Sequence, residues 1–325
     1  MKKFFQLEKK PKKGLLAVEW VAMGYLVFTL IVMCIVYPKL DNPMEMLKGR
    51  LMVVGVTLAA WGLYRLLPCR LTRLARILVQ MALLSWWYPD TYELNRTLPN
   101  LDHIFAQWEQ SWFCCQPSIL FSQVCSHPIF SELMDMGYFI YYPLIAAVAI
   151  YYFFWRYNEF GRASFIILAS FFVYYVIYVL LPVTGPQYYF PAIGLDNAAA
   201  GIFPNVGDYF ATLRDAIESP GYKDGIFYQL VLDAHNAGER PTAAFPSSHV
   251  GVTTILMLLA WQSRYRPLFW CMLPFYILLC LSTVYIMAHY AVDVLGGWIS
   301  AFAFYFMLKY IYNNVSKSKK NKQIA

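Results

Sequence analysis

The chain has 325 residues, of which 59% are hydrophobic and 14% charged, and its formal net charge is +7. A soluble domain carries about 25% charged residues; at a mean hydropathy of +0.45 this chain cannot cover itself with polar surface, which excludes the soluble globular classes. The excess charge sits at the ends, in Lys2, Lys3, Lys9, Lys10, Lys12 and Lys13 and in Lys317, Lys319, Lys320 and Lys322. Beside apolar segments such lysines read as a topology signal and a contact for anionic headgroups, not as a nucleic-acid interface.

Eight apolar segments approach the ~20 residues a transmembrane helix needs: 15–37, 49–67, 71–88, 131–155, 162–183, 247–262, 267–287 and 289–312. The expectation is an all-α polytopic membrane bundle of about eight spans. The run after Leu15 is long enough to span and shows no small-residue cleavage site, so it is not read as a signal peptide. The last two segments are nearly continuous, which demands a turn near Met287-Ala288-His289. Arg65, Arg70, Arg73 and Arg76, then Arg156 and Arg162, then Arg264 and Arg266, then the terminal lysines fall on one side of an eight-span arrangement. Lys39, Lys48 and Arg50, set against Asp41 and Glu45, are the exception. The positive-inside rule then puts both termini in the cytoplasm. A multi-pass protein of a bacterial inner membrane is expected, of open oligomeric state, forming one membrane domain over 1–325. Within it, 1–130 carries the N-terminal spans and first outer loop, and 131–325 the catalytic bundle.

The outer face receives two long connections, 89–130 and 184–246. In the first, Asp102 is placed to cap a short interfacial helix. In the second, 209–214 and 226–232 read as amphipathic pieces on the membrane surface, the latter ending at Gly238. Trp86-Trp87-Tyr88, Tyr151-Tyr152 and Tyr188-Tyr189-Phe190 lie near span ends, as interfacial belts do. Cys34, Cys271 and Cys280 fall inside spans and read as core. Cys114, Cys115 and Cys125 share a loop, where Cys125 either pairs with a neighbour or all three remain buried thiols.

Two stretches carry titratable groups where apolar helices begin: Phe245-Pro246-Ser247-Ser248-His249-Val250 and His289-Tyr290-Ala291-Val292-Asp293. Pro246 suits a first helical turn, and the free N–H groups at Ser247 and Ser248 make an anion site. His289 and Asp293 are four apart and share a helical face. If Asp293 accepts the Nδ1 proton of His289, the other ring nitrogen keeps a nucleophilic lone pair. A self-satisfied structural pair is the plainer reading. Metal binding through His249, His289 and Asp293 is disfavoured for want of further ligands. Arg240, next to Pro241, offers a bidentate contact to phosphate oxygens.

Arg240-Pro241, Pro246-Ser247-Ser248-His249, and Ser282 with His289 and Asp293 together resemble the three-part signature of the type-2 phosphatidic acid phosphatase superfamily. The signature's lysine falls on Asp233, its glycine on Ser248 and its second arginine on Thr283. Arg214, Lys223, Gln187 and Arg96 are the candidates to replace the two missing cations. The run from Thr283 to Gly297, with its His-Tyr pair, is similar to the third motif of the inositol phosphorylceramide synthases. Leu181-Pro182-Val183-Thr184-Gly185-Pro186 is similar to a Pro-rich turn in related proteins.

The resemblance implies a cofactor-free, metal-free transfer at the outer face. His289 attacks phosphorus, Asp293 orients it, and His249 protonates the leaving oxygen and then activates the acceptor. Arg240, Ser247 and Ser248 hold the phosphoryl oxygens. Membrane lipids are the expected partners: a phospholipid donor with either a lipid hydroxyl or water as acceptor. A site short of two cations suits a phosphodiester, which favours transfer of an inositol-phosphate-like headgroup over hydrolysis of phosphatidate or a polyprenyl phosphate. A transporter or an inactive lipid-binding protein is the rival from another class; a transporter calls for ionisable groups near the bilayer midplane.

Overall fold

A computed structural model describes residues 5–8, 11–238 and 240–324, without the side chains of 237 and 316–324. Lys2, Lys3, Lys9 and Lys10, and the side chains of Lys317, Lys319, Lys320 and Lys322, lie outside what is described. Among the described residues the chain is all-helical, with fourteen α-helices and no strand.

Helices α1 (Ala17–Val36), α2 (Pro43–Leu66) and α3 (Arg70–Asn95) form the N-terminal part. Two short helices follow, α4 (Asp102–Phe113) and α5 (Pro117–Val124), then α6 (Pro128–Phe139), α7 (Tyr141–Trp155) and α8 (Tyr157–Leu180). The second long connection holds α9 (Pro186–Ile193), α10 (Leu195–Ala199) and α11 (Ile226–Gly238). The chain closes with α12 (Ser248–Gln262), α13 (Arg266–Tyr285) and α14 (Ala291–Ile324). The turn demanded near Met287 is present, between α13 and α14, with Met287 at φ 64°.

Five helical stretches are long and apolar enough to cross a membrane: Ala17–Lys39, Pro43–Leu66, Tyr157–Leu180, Arg266–Tyr285 and Ala291–Val315. Helices α6 and α7, bent by 43°, make a sixth if taken as one span. The other two expected segments, 71–88 and 247–262, are helical but do not reach that standard. α3 carries Arg70, Arg73, Arg76, Asp90 and Glu93, and α12 has only 15 residues. α12 packs against α7, α8, α13 and α14, so its sides meet protein where an outer helix meets lipid. Its closest neighbour is α14. A Cβ at Gly297 would stand 2.8 Å from the Ser247 carbonyl oxygen, so the glycine sets how near the two helices come.

Two arginines used to judge orientation are not loop cations. Arg50 is buried in α2 and forks onto Asp90 of α3, with Nη1–Oδ1 3.0 Å and Nη2–Oδ2 2.7 Å. Arg76 of α3 is buried against Glu19 of α1, its Nε donating to Oε1 over 2.7 Å. Each pair satisfies charges that an apolar bundle would otherwise reject. Arg50 therefore no longer counts against the inside-positive pattern.

Several expectations change. Segment 209–214 forms only a 3₁₀ turn, Tyr209–Ala211. Trp87, Tyr152, Tyr189 and Phe190 are buried packing residues, not belt residues: Trp87 meets Tyr25 edge-on at 4.9 Å, and the Tyr152 hydroxyl donates to the Leu259 carbonyl over 2.9 Å. A ring with a polar tip suits an interior carbonyl as well as a headgroup layer. Cys34 and Cys271 are exposed on the bundle exterior, where apolar residues face lipid; Cys280 is buried. Cys114, Cys115 and Cys125 are free thiols, with Cys114 exposed and the other two half-buried.

Replacing Asp90 by Ala strands the Arg50 guanidinium in the interior. The expected loss is about 3–5 kcal/mol, read as a lower unfolding midpoint in detergent and largely restored by adding Arg50→Leu. An unchanged midpoint for the single variant contradicts the pairing.

Candidate active site

The turn that opens α12 is held by hydrogen bonds to its backbone groups, most of them made with side-chain hydroxyls. Ser247 is the N-cap, its Oγ accepting from the Val250 N–H at 3.4 Å. Pro246 thus stands one place ahead of the cap, not in the first helical turn. The Tyr178 hydroxyl of α8 donates to the Pro246 carbonyl over 2.9 Å and accepts from the Ser248 N–H over 2.9 Å. The Ser247 N–H donates to the Asp293 carbonyl over 3.1 Å. The N–H groups of Ser247 and Ser248, which the sequence pattern left free for phosphate, therefore bond within the protein, as does that of Val250.

The second turn leads from α13 into α14. His289 precedes the helix; its N–H donates to the Thr283 carbonyl over 3.0 Å. Asp293, third in α14, reaches back so that Oδ2 accepts the Tyr290 N–H at 2.8 Å, one half of a capping box. His289 Nδ1 lies 2.8 Å from the Ala244 carbonyl oxygen and 3.5 Å from Asp293 Oδ2. A carbonyl only accepts, so Nδ1 carries the ring hydrogen and Nε2 keeps its lone pair. The nearer orienting acceptor is thus Ala244, with the Asp293 carboxylate beside it. His289 Nε2 faces His249 Nδ1 at 3.4 Å.

His249 sits between the rings of Tyr138 and Tyr141, at centroid distances of 4.6 and 4.5 Å. These tyrosines flank the bend between α6 and α7. Pro143 in the first turn of α7 has no N–H to return to the preceding helix, which breaks the span and aims both rings at one imidazole. That proline was the sequence signal for the clasp.

A cavity of about 380 Å³ is lined by Arg240, Arg214, Gln187, His235, Asn236 and Glu218 among others; neither His249 nor His289 is part of its lining, and Tyr138, whose ring meets both His235 and His249, links the two. Its wall is anchored to the His289 turn: the Gln187 N–H donates to the Met287 carbonyl over 3.0 Å. Of the candidates for the missing cations, Arg214 and Gln187 share the cavity with Arg240. Lys223 is exposed and paired with Glu218, and Arg96 pairs with Asp41 and Glu93; neither lines the cavity. Ser282 is buried in α13 and donates to the Leu279 carbonyl over 2.9 Å. Asp233 is exposed and Thr283 buried.

Asp102 does not cap its own helix. Its buried carboxylate accepts from Thr184 N (2.7 Å), Thr184 Oγ1 (2.9 Å), Gly185 N (2.8 Å), Asn100 Nδ2 (2.6 Å) and the Tyr290 hydroxyl (3.0 Å). Burial pushes the Asp102 carboxyl above its ordinary range while these donors oppose the rise. Its bonds cross the expected division at 130/131.

Among the described residues no three His, Cys, Asp or Glu side chains gather as metal ligands would. A family model described as the PAP2 superfamily matches residues 103–307, from within α4 to within α14. No curated protein and no solved structure matches the chain.

Tyr178→Phe removes one donor and leaves the Ser248 N–H without its acceptor. The turn should lose about 1–3 kcal/mol of local stability, read as faster amide exchange across 245–250. Exchange at the wild-type rate contradicts the bracing role.

Proposed function

The chain belongs to the PAP2 superfamily, and on that premise we propose that it is an integral-membrane lipid phosphate phosphotransferase working through a phosphohistidine. Membership supports a phosphatase or phosphotransferase acting on lipid phosphates in general; the residues give the finer reading. Its main support is the His289 ring, held by the Ala244 carbonyl at Nδ1 and facing His249 across 3.4 Å at Nε2. His289 Nε2 bonds to phosphorus as the bond to the leaving oxygen breaks, and His249 gives that oxygen its proton. In the second half His249 takes the proton of the acceptor hydroxyl, whose oxygen displaces His289. Arg240 holds phosphoryl oxygens, with Arg214 and Gln187 on the same cavity wall.

The favoured substrate is a phosphodiester donor with a polar headgroup, passed to a lipid hydroxyl as in inositolphosphotransferases. Of the two guanidiniums that line the cavity, Arg214 is already paired with Glu93 at 3.9 Å, and the Glu218 carboxylate is paired with Lys223; the charge offered to a phosphate then comes chiefly from Arg240, which suits a singly charged diester. Gln187, Ser219 and Asn236 add hydrogen-bonding groups for a polyol. Ser247 and Ser248 shape the α12 entry and support the cradle from behind. The apolar helices fit a multi-pass protein; the reading puts both termini in the cytoplasm and the site on the outer face of a bacterial inner membrane. A transporter is less well supported, since His249 and His289 lie at helix ends.

The test offers purified protein phosphatidylinositol with ceramide in one reaction, and phosphatidate or a polyprenyl phosphate in another. A phosphoinositol-ceramide product supports the transferase; release of inorganic phosphate from the second set alone replaces it with a lipid phosphatase. His289→Ala should abolish turnover in either case while the protein stays in the membrane. Full activity of that variant would sink the assignment.

A further inference from the structure

Glu109 belongs to none of the three motifs and lies on the short helix α4, yet it meets the reacting residues from behind. It is fully buried. Its Oε2 accepts the Val292 N–H at 3.3 Å, one of the orphan donors at the start of α14. Asp293 satisfies the Tyr290 N–H, so the two carboxyls share the capping of one helix. Each has one buried oxygen, Glu109 Oε1 and Asp293 Oδ1, that completes no well-formed hydrogen bond among the described residues, although the Ala291 and Ser118 N–H groups lie near enough to the Glu109 carboxyl to favour its charged form. Two buried carboxyl groups close enough to feel each other's charge are most readily accommodated when one of them keeps its proton.

The geometry points to Glu109 as a positioning residue that holds the first turn of α14 and so fixes Asp293 against His289. This rests on the function proposed above. Glu109 touches no reacting atom; it acts through Val292 and Asp293. Burial, and then the Asp293 charge, raises its carboxyl to about 8. The titratable groups on elements around it are Asp293 in α14, His289 and Tyr290 in the turn before it, Asp102 and His103 on α4 itself, and Tyr188 and Tyr189 of α9; α5 brings none, and Asp196 of α10 is exposed. Below about pH 8 Glu109 is neutral beside Asp293; above it, a second negative charge enters the same pocket. The folded form thus keeps a proton that the unfolded chain has already lost, so both stability and rate should fall as pH rises toward and through that value.

The experiment compares Glu109→Gln and Glu109→Ala in the full-length protein. The amide of Gln accepts from Val292 and donates as the protonated acid does, without titrating. Gln should keep near-wild-type kcat and carry it past pH 8. Ala should lose kcat by about 10²-fold, as displaced reacting groups do, with KM little changed. Amide exchange at 290–293 should quicken in Ala and not in Gln, a readout that needs no substrate. If the wild type turns over none of the lipids, the proposed function fails and exchange alone judges Glu109. A Gln profile that superimposes on the wild type, wild-type kcat in the Ala variant, or equal exchange in both variants overturns the inference.

Discussion

The site hangs on a buried carboxylate that no catalytic motif contains. Asp102 binds the chain at the end of α8 through Thr184 and Gly185, and the His289 turn through the Tyr290 hydroxyl. At φ 96°, Gly185 adopts a backbone that favours glycine, and a Cβ there would stand 2.8 Å from the Ala288 carbonyl oxygen. The close approach and the carboxylate together bring two distant loops to one place. From there the Ala244 N–H reaches the Val183 carbonyl over 3.0 Å, and the Ala244 carbonyl reaches His289. The orientation of the imidazole is thus inherited from backbone anchored by Asp102.

Such a network suits a polar site at the end of an apolar bundle. An unmet donor or acceptor costs most where water is scarce. The bundle answers with Tyr178 between Pro246 and Ser248, Asp293 on Tyr290, and Glu109 on Val292. These bonds brace the turns that carry the histidines, and the proposed function gives phosphate recognition to the side chains of the cavity that Arg240 lines.

Much of this was legible in the sequence, for physical reasons. Apolar runs of span length give helices, and a histidine with an acid four residues on has little cause to stand at the end of one. The need for a turn at Met287 followed from bilayer thickness. What was hidden needs the third dimension. An outward-facing Cys34 and a buried Cys280 sit in equally apolar runs, because lipid and protein interior select alike. Arg50 read as a loop charge because Asp90 is forty residues away. Asp102 read as a cap because a cap is what an acid before a helix does locally, whereas its five donors come from three separate stretches. Tyr138 and Tyr141 looked like any membrane aromatics, and only the bend at Pro143 sets them about His249.

The account stands on His289 Nε2 as the atom that takes the phosphoryl group. The most direct measurement quenches the enzyme in alkali during turnover of a donor labelled in its phosphate, then maps the bound label by mass spectrometry. A base-stable, acid-labile label on His289 is the predicted result. Turnover with the label on a serine or an aspartate, or with no bound label when the acceptor is withheld, would contradict it.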